Sequence, residues 1–102
     1  MIENKQGITN IEFEMTIQAY CPLGKELYNA EVYVSMDPNE KIMDYCHTTK
    51  FIRDLGGERF IIEDLVAEIF EHIKTNYDPK ELYVSVHAET NSHFPVTVTK
   101  SL

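Results

Sequence analysis

The chain has 102 residues, a length that predicts one domain able to bury roughly two-thirds of its unfolded surface without disulfides or metals. Nine basic residues against 17 acidic residues give a net charge of −8. This balance disfavours a binder of nucleic acid, tRNA included, because affinity for phosphate backbones comes mainly from clustered Lys and Arg.

The start of the chain and its cysteine content bear on the compartment. The opening stretch MIENKQGITNIEFE lacks the basic and apolar regions of a signal peptide. No apolar run approaches the roughly 18 residues of a membrane span. Two cysteines, Cys21 and Cys46, are too few for a disulfide framework. We therefore expect a single domain over residues 1–102, located in the cytoplasm, with reduced thiols and no membrane contact.

Two alternating runs predict a pair of strands in the first third of the chain. Apolar and polar residues alternate from Ile11 to Tyr20, and again from Ala30 to Met36. A period of two is typical of a strand with one buried face. The segment between them, Cys21 to Asn29, contains Pro22 and Gly24, and it predicts a hairpin loop longer than two residues.

Two helices are predicted in the middle of the chain. Asp44 can cap the first helix, which runs to about Leu55 and stops at Gly56-Gly57. From Ile62 to Ile73 the apolar residues follow the i, i+3, i+4, i+7 spacing of an amphipathic helix. Asp78-Pro79 ends that region.

Two further strands complete an α+β fold. Residues alternate again from Leu82 to Ala88, and Val96 and Val98 mark a last strand after the turn ETNSHF. The order ββ-αα-ββ predicts an antiparallel sheet with both helices on its apolar face. The opposite face is polar, and could lie in water or line a tunnel if several sheets joined edge to edge. Its residues are Glu12, Glu14, Thr16, Gln18, Ser35, Ser85, His87, Thr97 and Thr99.

This order, with Cys21-Pro22 opening the first loop and Glu63 near the start of the second helix, resembles the tunnelling fold. Within that fold it is most similar to the QueF and QueF-like families, over about residues 11–99. The resemblance implies a homo-oligomer whose sheets form a β-barrel. It also implies an enzyme acting on 7-cyano-7-deazaguanine in queuosine or archaeosine metabolism. Cys21 would form a thioimide with the nitrile, and Glu63 would hydrogen-bond the guanine-like edge of the base.

Three departures from those families affect the expected chemistry. Both families place an Asp seven residues after the Cys as proton carrier, and Tyr28 stands there here. The reductases have a His before the Glu, where this chain has Ile62. Their Lys-rich stretch, which holds NADPH, corresponds to DYCHTTK, with only Lys50. Nitrile attack remains possible, while proton transfer and reduction are disfavoured. No cofactor is expected, NADPH being needed only for a reductase.

Several candidate residues also have a purely structural interpretation. Cys21 could be an inert thiol at a strand end, since free Cys is among the most buried residue types. Cys46 is predicted to face inward on the first helix. Glu63 could be an acidic residue favoured by the helix dipole. Tyr28 could be a loop or interface aromatic, although it could also donate a hydrogen bond to a ligand.

His87 is predicted to contact the base together with Glu63 and Tyr28. His87, His93 and Glu89 flank the last turn and could be imagined as metal ligands. No metal is expected, because the chain lacks a paired-His ligand motif.

Two other functions stay open within the tunnelling fold. One is a protein that binds a purine or pterin without catalysis. The presence of Tyr28 in place of the proton-carrying Asp favours this function. The other is a reaction like that of dihydroneopterin aldolase. There Glu63 would anchor a pterin, and Lys100, near the last strand, would transfer protons.

Overall fold

The computed structural model describes residues 2–102 as a four-stranded antiparallel sheet with two helices on one face. The elements in chain order are β1 (Ile2–Glu3), β2 (Ile11–Cys21), β3 (Glu26–Asp37), β4 (Lys41–Ile42), α1 (Tyr45–Leu55), α2 (Ile62–Tyr77), β5 (Glu81–Glu89) and β6 (Val96–Ser101). The main sheet has the order β2-β3-β5-β6, and β1 pairs with β4 outside it. The predicted order of two strands, two helices and two strands is confirmed. Neither helix in residues 2–102 is long and apolar enough to cross a membrane.

The first hairpin is tighter than the sequence predicts. β2 continues to Cys21, which pairs with Glu26, so only residues 22–25 form the turn. Lys25 closes that turn with a positive φ of 56°. The prediction of a longer loop from Cys21 to Asn29 was wrong. Residues 26–29 continue the ladder with β2, where pairing satisfies their backbone N–H and C=O groups.

The core lies between the helices and one face of the sheet. α2 contributes Leu65, Ile69 and Ile73, each fully buried. Complete burial of one such side chain stabilises the fold by roughly 1.5–3 kcal/mol. The sheet contributes alternate residues of its first three strands, as the period-two pattern predicts: Ile17, Ala19, Tyr28, Ala30, Val32, Val34, Met36, Leu82, Val84, Val86 and Ala88.

The predicted helix boundaries hold. The Asp44 carboxylate accepts a hydrogen bond from the His47 N–H at 3.0 Å and caps α1. Gly57, with φ 83°, turns the chain after α1, and its N–H donates to the Gln18 carbonyl at 2.8 Å. Asp78 adopts a left-handed conformation at the end of α2, and Pro79 follows. A proline at that place cannot continue the helix.

Cys46 is exposed, so the prediction that it faces inward was wrong. On α1, Ile52 and Leu55 are buried and Phe51 is half-buried. Cys46 lies six positions before Ile52, which places it about 240° around a helix of 3.6 residues per turn. Its thiol therefore faces away from the sheet.

A stack of three aromatic rings joins α1 to α2. The His72 ring lies parallel to Phe51, with centroids 3.7 Å apart, and 5.4 Å from His47. Its Nδ1 lies 3.3 Å from the Asn76 amide nitrogen. Its Nε2 is buried and has no hydrogen-bond partner within residues 2–102. Burial, and then the charge on His47, lower the pKa of His72.

Acid should therefore weaken the fold through His72. With its pKa lowered in the folded state, His72 takes up a proton more readily in the unfolded chain. Its contribution to stability is complete above the unfolded pKa of about 6.5 and is lost as pH falls from there through the lower folded value. We expect the melting temperature of His72→Phe, which keeps the stack, to fall less than that of the wild type between neutral and mildly acidic pH. Equal falls in melting temperature for the two proteins would contradict the assignment of this pH dependence to His72.

Candidate functional site

Cys21 is the last residue of β2 and begins the candidate site. Its side chain is half-buried and packs against the core, on the same face as Ala19. The Gly24 N–H donates to its Sγ at 3.4 Å, and the Lys25 N–H donates to its carbonyl at 2.8 Å. The turn thus wraps around the thiol without covering it.

Tyr28 lies one strand away, paired with Ala19 in the ladder. The prediction that Tyr28 lies in a loop was wrong, because Tyr28 is inside β3 and only 4% exposed. Its hydroxyl donates to the Phe60 carbonyl at 2.7 Å. Burial, followed by the negative charges of Cys21 and Glu63, raises the pKa of Tyr28 to about 12. Tyr28 therefore lies within electrostatic reach of Cys21 and of Glu63, and its hydroxyl is neutral at ordinary pH.

A short extended segment, residues 57–60, connects this region to α2. The Tyr20 N–H donates to the Glu58 carbonyl at 3.0 Å, and the Phe60 N–H donates to the Tyr20 carbonyl at 3.1 Å. Tyr20 and Arg59 thus form a parallel bridge. This pairing holds the segment, which leads into α2, against the end of β2.

Glu63 occupies the first turn of α2, as the sequence predicts, and is exposed. Asp64, also exposed, follows it and points about 100° further around the helix. The residue at the N-cap, Ile61, offers no side-chain cap. A carboxylate at this place is available to a ligand, with only acceptor atoms to present.

His87 lies on the opposite face of the sheet. It pairs with Glu31 in the ladder, and its Nδ1 is 2.8 Å from the Thr97 hydroxyl. Its Nε2 is 3.2 Å from a carboxylate oxygen of Glu89. A single chain therefore does not bring His87 together with Cys21, Tyr28 and Glu63. Across residues 2–102, no three His, Cys, Asp or Glu side chains are grouped as metal ligands would be.

Comparison with known proteins identifies the architecture. No family model and no curated protein matches the chain. Among solved structures, the archaeosine synthase QueF-Like, in its apo form, is similar with a TM-score of 0.84 and 19% identity. That match covers 91% of this chain and 92% of the other.

Two dihydroneopterin aldolases are also similar. The protein from Vibrio cholerae O1 biovar El Tor has a TM-score of 0.75 and 11% identity, covering 93% of this chain and 97% of that one. The protein from Burkholderia thailendensis, whose structure is bound to guanine, has a TM-score of 0.61 and 12% identity, covering 95% and 92%. The chain has the tunnelling fold. At these identities the similarity establishes the fold and not the reaction.

Lys100 lies away from Glu63. In the alternative reaction like that of dihydroneopterin aldolase, this lysine would transfer protons. Its ammonium group is 3.3 Å from a Glu71 carboxylate oxygen and 4.8 Å from the centre of the Phe70 ring. Glu71 follows Glu63 by eight helical positions, a rise of about 12 Å along α2. A site combining Glu63 with Lys100 would therefore take the lysine from another subunit.

A groove of about 750 Å³ lies at the other end of β2, between its first half and α1. Its lining includes Phe13, Met15, Tyr45 and Arg53. It does not include Cys21, Tyr28 or Glu63. It is therefore separate from the predicted site.

Sequence reasoning missed Arg59 and Phe60. The Arg59 guanidinium lies 5.2 Å from the centre of the Tyr20 ring, and the Phe60 carbonyl holds the Tyr28 hydroxyl. The local pattern indicates only a helix stop at Gly56-Gly57 followed by a new helix. The pairing of residues 58–60 with β2 depends on contacts far apart in sequence.

Proposed function

We propose that this chain binds 7-cyano-7-deazaguanine and captures its nitrile as a thioimide on Cys21. The observation that carries the proposal is that residues 57–60, which lead into the first turn of α2 and Glu63, pair with Gln18 and Tyr20 next to Cys21 and accept a hydrogen bond from the Tyr28 hydroxyl. The fold shared with the archaeosine synthase QueF-Like supports this choice of ligand.

Glu63 would hold the base. The guanine-like edge carries neighbouring N–H donors, and a carboxylate offers two acceptor oxygens in a matching geometry. Glu63 is exposed in the first turn of α2, three residues after Phe60, whose backbone pairs with Tyr20 next to Cys21. Binding there would bring the nitrile carbon to the sulfur, so the reaction gains rate from positioning.

The covalent step needs no oxidant or reductant. The thiol gives its proton to water, and the thiolate electron pair forms a C–S bond to the nitrile carbon. One π bond of the nitrile opens onto nitrogen, which takes a proton from water. Thiol and nitrile thus combine into a thioimide with all atoms retained. Because the thiolate is the nucleophile, capture should be faster at mildly alkaline pH.

Turnover beyond the thioimide is disfavoured in this chain. Tyr28 replaces the expected Asp, and its hydroxyl is buried, neutral and bonded to a backbone carbonyl. The thioimide should therefore form and persist.

NADPH is not expected to bind at the DYCHTTK stretch. Lys50, the one lysine of the DYCHTTK stretch, is paired with Asp54 at 2.9 Å, and a lone paired cation does not make a phosphate site. We therefore expect the chain to leave the nitrile unreduced.

Intact mass tests the proposal. After incubation with the nitrile, we expect an increase of one base per chain, without nitrile-dependent oxidation of NADPH. Protein that stays unmodified at millimolar nitrile and mildly alkaline pH would overturn the covalent assignment. Steady nitrile-dependent consumption of NADPH would instead indicate a reductase.

Assembly into a ring is also expected. Within residues 2–102, the outer edge of β6 has no partner, and the outer edge of β2 pairs only near Gln18 and Tyr20, with residues 57–60. The first half of β2 is therefore an open edge, and exposed edges favour pairing with another chain. Ile11, Phe13 and Met15 on β2 are only half-buried. Edge pairing would place the polar face, His87 included, inside a barrel. Light scattering should give a homo-oligomer at micromolar concentration, and a monomer would contradict the ring.

Binding without reaction is the second candidate. The Burkholderia aldolase, which shares the fold, is bound to guanine. Calorimetry with guanine and with a pterin would detect this function. Binding of either base, together with an unchanged mass in the presence of the nitrile, would favour a non-covalent purine or pterin protein.

A further inference from the structure

The Tyr28 hydroxyl joins the sheet to the segment that leads into α2. Its ring is buried in β3, and the hydroxyl donates to the Phe60 carbonyl at 2.7 Å. Phe60 lies two residues before the first residue of α2 and three before Glu63. The contact therefore reaches from the strand next to Cys21 to the turn that carries Glu63.

Phe60 is held from two sides. Its N–H donates to the Tyr20 carbonyl on β2, and its carbonyl accepts from Tyr28 on β3. The start of α2 has no side-chain cap, since Ile61 occupies the N-cap. The buried residues of α2 begin only at Leu65. The position of the first turn thus depends on how Phe60 is held.

We infer that Tyr28 is a positioning residue whose hydroxyl fixes Glu63 relative to Cys21. This inference rests on the proposed function for its catalytic consequence. The hydroxyl proton is engaged by a carbonyl and is not free to serve a bound nitrile. A pKa of about 12 also makes Tyr28 a poor proton carrier at neutral pH.

Tyr28→Phe tests this role, because it removes one oxygen and keeps the buried ring. Tyr33→Phe is the matched control: Tyr33 is also on β3, but its hydroxyl donates to Glu12 on the polar face. Loss of the Phe60 partner should accelerate hydrogen exchange at the hydrogen-bonded amides of residues 64–66 about tenfold. Exchange in the last turn of α2 and in β5 should be unchanged, and Tyr33→Phe should change neither.

The rate of adduct formation separates positioning from proton transfer. For Tyr28→Phe we expect the half-saturating nitrile concentration to rise about tenfold. The maximal rate should change less than about twofold, with the same pH profile. A lower maximal rate with an altered pH profile would indicate an acid–base role and overturn the inference.

Unchanged hydrogen exchange at residues 64–66 would also overturn it. That measurement uses no nitrile, so it decides the positioning of α2 even if wild-type protein forms no adduct. A wild type that forms no adduct would count against the proposed function alone.

Discussion

Cys21→Ala should abolish the covalent adduct with 7-cyano-7-deazaguanine. The substitution removes the sulfur at the end of β2. Alanine has no nucleophilic atom with which to form the thioimide. Intact mass should show unmodified protein under conditions that fully modify the wild type, and peptide mapping of the wild type should place the added base on Cys21.

Cys46→Ala is the matched control for this experiment. Cys46 is exposed on α1, whereas Cys21 is half-buried at the candidate site. Cys46→Ala should keep the full adduct. Cys21→Ala should remain folded, since it loses the packing of one half-buried sulfur and a hydrogen bond from the Gly24 N–H worth about 0.5–1.5 kcal/mol. An adduct that survives in Cys21→Ala and maps to Cys46 would show non-specific reaction of an exposed thiol.

Glu63→Gln should raise the half-saturating nitrile concentration by about 10- to 100-fold. Glutamine keeps one acceptor oxygen but replaces the other with a donor NH₂ group, which would face an N–H of the base. Loss of one charge-assisted hydrogen bond and a clash between two donors account for an effect of this size. Adduct formation followed by intact mass over a range of nitrile concentrations measures it.

Asp64→Asn separates ligand binding from helix electrostatics. Both substitutions remove one negative charge from the first turn of α2, so both weaken its favourable interaction with the helix dipole by a similar amount. Asp64 points to a different side of the helix and should not contact the base. We expect Asp64→Asn to change the half-saturating concentration by less than about twofold, well below the loss expected from a ligand contact. Equal effects of the two variants would assign Glu63 only a helix-stabilising role.

Much of the fold was predictable because its signals are local. The alternation from Ile11 to Tyr20 assigns each side chain to one face of a strand, since successive residues point to opposite sides. Asp44 caps α1 because its side chain reaches a backbone N–H three residues away. The apolar spacing of α2 places one stripe of the helix toward the sheet. The position of Cys46 could also have been derived, from its phase relative to Ile52.

The candidate site was predictable only in part. The sequence by itself determined that Cys21 follows the first strand and that Glu63 begins a helix. Only the tertiary structure decided that Tyr28 belongs to β3, because residues 26–29 become a strand by pairing with β2. It alone decided that the Tyr28 hydroxyl meets the Phe60 carbonyl. That contact joins residues distant in sequence, and no local periodicity or propensity specifies which distant backbone group a buried hydroxyl will find.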